Sequence, residues 1–255
     1  MGFLQETTPE GYVSTGAYVG IFFEGIVMIV YAILLIKLYR IYRVSKLKLT
    51  LHLLIGFTFF MCSTFFSWIA KWWLWHHIVY ALEGPYWLQI IYTFKVSMAC
   101  MVIGNYFILK FYRIIFSKEV SSQSDMLLIA YKILAVIIIL IIHIPAYLEN
   151  SNELRELGDS IVFLLVCIDS IYTVPYCIKC FKAARSEVFG KKYKSIGITA
   201  VNILNVMIMF FFDRLLIIMG VPGPYGEVGW SVFYYAGFIS AICGLTLAIY
   251  GFVLK

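Results

Sequence analysis

Seven long apolar stretches take up most of this 255-residue chain. A helix rises 1.5 Å per residue, so about 20 apolar residues are enough to cross a hydrocarbon core of roughly 30 Å. Apolar residues make up 62% of the chain and charged residues only 13%, which excludes an ordinary soluble domain. We therefore predict an all-α integral membrane protein, with residues 1–255 forming a single polytopic domain. The seven predicted spans are 16–37, 51–71, 88–110, 127–148, 159–179, 196–219 and 230–253.

Basic residues collect on one side of the predicted membrane. Fifteen of the 20 lysines and arginines lie near the loops after the first, third and fifth spans or at the C-terminus. Because basic loops stay on the cytoplasmic side, the N-terminus is predicted to lie outside a cell membrane and the C-terminus inside. The same placement, flanking apolar spans, argues against a nucleic-acid partner and makes the lipid bilayer the first partner.

A faint internal repeat runs through the chain at an offset of about 142 residues. The pattern Ile-Lys-x-aromatic-basic-x-x-Arg begins at Ile36 and again at Ile178, and one register step later Lys71 aligns with Arg214. Chance matching of helix-end residues is the alternative explanation. A true repeat would divide the protein into two three-helix units joined by a linker helix. The units would be 16–113 and 159–255, with the linker helix at 127–148.

Ionisable side chains inside the spans are candidate functional residues, because they cost several kcal/mol in hydrocarbon unless they are paired or hydrated. Counted along each helix, most of them fall in the outer half of the predicted bundle. Lys132 is the exception, since it lies near the inner face, and His143 is interpreted as a core histidine. Polar residues also share one helix face in the fifth span and one in the sixth.

These charges and stripes together predict a ligand or ion pocket in the outer half of the bundle. The alternative interpretation is structural: the same groups would form internal ion pairs and interhelical hydrogen bonds. No metal site is predicted. The nine predicted pocket residues are Glu24, Lys95, Asp169, Thr173, Tyr176, Asn202, Asn205, Asp213 and Arg214.

Seven helices in a 3+1+3 order, with the N-terminus outside, resemble the broad class that contains microbial rhodopsins, SWEET sugar transporters and receptor-type bundles. The resemblance covers the whole chain and rests on topology and the repeat alone. Covalent retinal is disfavoured because the last span has no lysine before Lys255, and no other cofactor is predicted. SWEET-like transporters carry prolines in the first two helices of each repeat, whereas only the fifth span, with Pro175, has one here.

Catalysis is not indicated, because the sequence has no His-Glu-x-x-His motif, no histidine box and no Gly-x-Gly-Asp setting for Asp213. Two functions remain. The first is a receptor-like sensor that signals through a separate cytoplasmic or membrane partner at the basic inner loops. The alternative is a small-solute or ion transporter in which two three-helix units rock about a polar site. The outward position of the charges favours the sensor, while the sequence names neither the ligand nor the oligomeric state.

Overall fold

The computed structural model describes residues 15–80, 86–116, 152–183, 187–224 and 231–253. It also describes seven residues between 126 and 137. Some side chains within these helices, including those at 74–80, 86–92, 152–159 and 168–170, lie outside the description. The described part of the chain is almost entirely helical. Its helices are α1 (Thr15–Ser45), α2 (Lys48–Tyr80), α3 (Tyr86–Phe116), α4 (Asn152–Ala183), α5 (Glu187–Ile218) and α6 (Val232–Val253).

Five of the described helical segments are long and apolar enough to cross a membrane. The prediction of an all-α membrane protein is confirmed at this level, because each segment satisfies its own backbone hydrogen bonds, as hydrocarbon requires. Seven spans and their orientation stay predictions, since the linker helix at 127–148 lies largely outside the described residues. The five segments are Tyr18–Ser45, Lys48–Trp73, Thr93–Tyr112, Ile196–Ile218 and Val232–Tyr250.

The outer surface of the bundle is apolar. On α1, Ile29 and Ile33 are exposed, while Val27, Leu34 and Leu38 on the opposite side of the helix are buried. Both faces of the helix are therefore hydrophobic, which is the pattern of a helix that packs on protein on one side and on lipid on the other.

Helix packing follows the same plan in the two halves of the chain. In the first half α2 packs against both α1 and α3, and in the second half α5 packs against both α4 and α6. The halves meet where α1 contacts α6 and where α3 contacts α4. If α1, α2 and α3 are relabelled as α4, α5 and α6, and the reverse, the same list of helix contacts is obtained. The two halves therefore have equivalent packing.

Glycines allow close approach within each half. A Cβ atom on Gly104 of α3 would lie 2.9 Å from the backbone oxygen of Gly56 on α2. In the second half, a Cβ atom on Gly244 of α6 would lie 2.7 Å from the Cβ atom of Asn202 on α5. Small residues at such crossings allow extensive van der Waals contact, which drives helix association in membranes.

Candidate functional site

A buried ion pair joins α1 to α2. The Nζ atom of Lys71 lies 2.6 Å from Oε1 of Glu24, and the two side chains are 9% and 2% exposed. Ser67, one turn before Lys71, donates a hydrogen bond of 2.7 Å to the same carboxylate oxygen and accepts one of 2.7 Å from Lys71. Because water is excluded, these hydrogen bonds are what offset the cost of burying both charges.

Lys71 lies inside the bundle near the end of the apolar segment of α2, which runs from Lys48 to Trp73. The predicted span ends at 71, whereas α2 continues to Tyr80, more than two turns further. Close by, the indole Nε1 of Trp68 donates a 3.1 Å hydrogen bond to the backbone oxygen of Ile21 on α1. The contact between α1 and α2 is therefore polar as well as apolar at this level.

Asp213 near the end of α5 holds the beginning of α6. Its Oδ1 atom accepts a 2.6 Å hydrogen bond from the hydroxyl of Ser231 and a 3.2 Å hydrogen bond from the backbone N–H of the same residue. Ser231 immediately precedes α6, and its backbone oxygen accepts from the N–H of Tyr234 at 3.1 Å. A carboxylate at a helix N-terminus is favoured by the helix dipole, so Asp213 stabilises this end of α6.

Two cations reach from one half of the chain to the other. Lys71 on α2 lies 5.5 Å from the ring centroid of Tyr234 and 6.0 Å from that of Phe238, both on α6. In the opposite direction, from the second half to the first, the guanidinium of Arg214 on α5 lies 5.3 Å from the ring centroid of Phe94 on α3. Desolvated cation–aromatic contacts of this kind contribute about 2 kcal/mol each.

The ion pair and the Asp213 contact belong to one electrostatic group. Lys71 interacts electrostatically with Asp213 and Arg214 as well as with Glu24. Contacts from α1, α2, α3, α5 and α6 thus converge at the end of the bundle where α1, α3 and α6 begin. We call this group the charged cluster; it consists of Glu24, Lys71, Asp213 and Arg214.

The other predicted pocket residues lie on α3, α4 and α5. Lys95 is buried on α3, Thr173 is fully buried on α4, and Tyr176 is partly buried against the core. Asn202 donates to the backbone oxygen of Ile198 in its own helix at 3.2 Å. The side chain of Asp169 and the residues Lys132 and His143 lie outside the described part of the structure.

The polar stripe predicted in the sixth span lies on α5 and faces α6. Asn205 donates a 2.7 Å hydrogen bond to the hydroxyl of Ser240, Asn202 packs against Gly244, and Asp213 binds Ser231. The helical spacing predicts the shared face correctly. What lies opposite that face is a neighbouring helix, so for Asn202 and Asn205 the described contacts are those of interhelical packing.

Sequence reasoning left Lys71, Ser67, Ser231 and Tyr234 out of the predicted pocket. Lys71 had one signal, its alignment with Arg214 in the repeat, which was not used to place it in the pocket. The spacing of Ser67 and Lys71, four residues apart and so on one helix face, was a second signal. Ser231 and Tyr234 carry no comparable mark, because neither is charged.

A pair of hydrogen bonds repeats between the halves at positions that the sequence comparison did not use. In the first half the hydroxyls of Ser63 on α2 and Ser97 on α3 lie 3.1 Å apart. In the second half Asn205 on α5 bonds to Ser240 on α6. The two pairs are separated by 142 residues on the middle helix and 143 on the third helix, which is the offset of the predicted repeat.

We predict that the two bonds also have similar energies. Alanine double-mutant cycles should give a coupling of about 0.6 kcal/mol for Asn205 with Ser240 and a similar value for Ser63 with Ser97. Reversible unfolding in mixed micelles provides the measurement. Asn205 combined with Thr246, whose exposed hydroxyl bonds only within its own helix, is the additive control. Coupling in one cycle and none in the other would contradict the equivalence.

No protein-family model, curated protein or solved structure matches the chain. The fold and the site therefore define its class on their own. In its described part it is almost all helical, several of its helices are able to span a membrane, and a cluster of buried and partly buried charges links the two halves.

Proposed function

We propose that the protein is a receptor-like membrane sensor whose charged cluster responds to a ligand on the outer side and changes the fit between two three-helix units. The observation that carries this proposal is the position of the cluster. Its four members lie on α1, α2 and α5, and their contacts extend to α3 and α6. A change of charge at any member therefore acts on both halves of the chain.

At the contact between α1 and α6, the core beyond the cluster supports a sensor over a carrier, whereas α3 and α4 bury the polar residues Asn105 and Thr173. A carrier needs polar groups that line a route to the opposite side of the membrane. On α1 the buried residues beyond Glu24 are Val27, Leu34 and Leu38, and on α6 those beyond Phe238 include Leu245 and Ala248. These two helices form one of the contacts between the halves, and their described buried faces are apolar in this direction.

The opposite end of the bundle offers a basic surface for a signalling partner. Lys46 is exposed between α1 and α2, and Lys48 is exposed at the start of α2. Lys182 is exposed at the end of α4, and Lys194 is exposed on α5. A rigid helix transmits a displacement along its whole length, so movement of α1 against α2 at the cluster also changes this surface. A partner with an acidic face has the complementary charge.

Transport is the second candidate, and the equivalence of the two halves favours it. Parallel-repeat carriers bind their substrate where two units meet and alternate by rocking one against the other. Three features support a duplicated unit here. The helix contacts are equivalent in the two halves, a hydrogen bond joins the second and third helix of each half, and a cation from each half contacts an aromatic ring of the other. A sensor built from the same duplicated unit has these features too.

Reconstituted liposomes distinguish the two candidates. Flux of protons and of a mixed metabolite panel is measured against empty vesicles, together with hydrogen–deuterium exchange at the basic loops in the presence and absence of the panel and at different pH values. The sensor proposal expects no flux, and exchange changes at the loops that disappear in Asp213→Asn but persist in Thr246→Ala. Flux that disappears in Asp213→Asn would establish the carrier instead.

A further inference from the structure

We propose that the charged cluster binds a proton, and that the proton-binding atom is Oε2 of Glu24. The claim that the proton is the ligand of a sensor rests on the proposed function. The claim that Glu24 binds the proton rests on the geometry of Glu24 alone. The proposal adds a chemical identity to the site, since neither the fold nor the position of the cluster names what it responds to.

The two oxygens of the Glu24 carboxylate have different surroundings. Oε1 accepts hydrogen bonds from both Lys71 and Ser67. Oε2 is buried and has no hydrogen-bond partner among the described residues. A buried acceptor without a donor is costly, and protonation of that oxygen removes the negative charge that makes it costly. A proton also needs no cavity, because it binds an atom that is already in place.

Every described helix that packs against α1 presents titratable or charged groups to this site. From α2 comes Lys71, and from α6 come Tyr234, which interacts electrostatically with Glu24, and Tyr235, whose ring centroid lies 6.2 Å from that of Phe23 on α1. Asp213 and Arg214 on α5 act on the same group through Lys71 and Tyr234.

Protonation removes the ionised carboxylate partner of Lys71. One proton from the aqueous phase adds to Oε2, Lys71 keeps its own proton, and no covalent bond breaks. Glu24 becomes neutral, so the contact at 2.6 Å changes from an ion pair to a weaker hydrogen bond. Asp213 is then the remaining carboxylate in the cluster that attracts Lys71, while Arg214 beside it repels Lys71.

The consequence is a switch between the two halves of the chain. With Glu24 ionised, Lys71 is held to α1 within its own half. With Glu24 protonated, Lys71 is released from α1 and responds to Asp213, which attracts it, and to Arg214, which repels it, both in the other half. A fall in pH therefore weakens the contact between α1 and α2 and changes the charge balance between the halves.

Infrared difference spectroscopy of the full chain in liposomes tests the proposal. Lowering the pH should produce the C=O stretching band of a protonated carboxylic acid in a water-free environment, shifted by deuteration. Uniform ¹³C-glutamate labelling should move this band, and ¹³C-aspartate labelling should leave it in place. We expect the band to be lost in Glu24→Gln and to remain in Asp213→Asn.

Each outcome decides the proposal. A band that moves with ¹³C-aspartate, that persists in Glu24→Gln, or that does not form at any pH at which the protein stays folded overturns it. If Glu24→Gln does not fold, Glu24→Asp keeps a carboxyl group at this position, and its band should then move with ¹³C-aspartate instead of ¹³C-glutamate; a band that still moves with ¹³C-glutamate overturns the proposal. The result is independent of the flux measurement, so the sensor proposal and the proton site can fail separately.

Discussion

Replacing Lys71 with methionine is expected to lower the free energy of unfolding by about 3–5 kcal/mol. Methionine keeps an unbranched apolar side chain, so the main loss is the charge. The substitution leaves the carboxylate of Glu24 buried without its cation, and it removes the ammonium group from above the rings of Tyr234 and Phe238. Breaking one side of a buried pair costs more than removing the pair, because an uncompensated charge remains.

The loss should depend on pH in a defined direction. In Lys71→Met, protonation of Glu24 removes the uncompensated charge, so the folded state of the variant binds a proton more readily than the unfolded state. Stability of the variant relative to wild type therefore falls as the pH rises. Reversible unfolding in mixed micelles at several pH values provides the measurement.

Two further variants make this result specific. The double variant Glu24→Gln with Lys71→Met should recover the part of the loss that comes from the unpaired carboxylate, while the contacts of Lys71 with Tyr234 and Phe238 stay lost. Lys48→Met, the same substitution at an exposed position of α2, should change stability by less than about 0.5 kcal/mol. Equal losses for Lys71→Met and Lys48→Met would show that the buried pair contributes nothing particular.

Gly104→Ala is expected to destabilise the protein by about 1–3 kcal/mol. The added methyl group would lie 2.9 Å from the backbone oxygen of Gly56 and 3.3 Å from the backbone nitrogen of Phe60. Backbone atoms cannot move aside as the end of a flexible side chain can, so α2 and α3 must separate. The same unfolding assay in mixed micelles measures the loss.

Gly25→Ala on α1 is the matched control, with an effect of opposite sign. Its added methyl group meets no atom within 4 Å, so the substitution makes no steric clash. Alanine in a helix interior is more stable than glycine by about 0.5–1 kcal/mol, so this variant should gain stability. A similar loss in both variants would contradict the close crossing of α2 and α3.

The sequence predicts best the features that hydrocarbon makes costly. Glu24 and Asp213 are identifiable as buried charges because they interrupt long apolar stretches, and both prove to be buried and hydrogen-bonded. The face shared by Asn205 and Asp213 follows from helical spacing alone. These predictions depend only on local order along one helix.

Partners across helices were not predictable in the same way. Lys71 was left out of the predicted pocket, because the sequence does not show that it meets Glu24 on another helix. Ser231 lies outside a helix and carries no charge, so only the packing of α5 against α6 shows that it binds Asp213. The stripe on α5 was expected to face a pocket, and its partner, α6, is a property of the assembled bundle.

The most direct test of the account is a distance measurement between the two halves at the end opposite the charged cluster. Spin labels on genetically encoded amino acids at Lys48 and Lys182, both exposed, report this distance by pulsed electron resonance in liposomes. The account predicts that the distance distribution of the wild-type chain changes with pH and that Glu24→Gln holds it in the low-pH form at every pH. Distributions that are independent of pH, or that respond equally in Glu24→Gln, would contradict it.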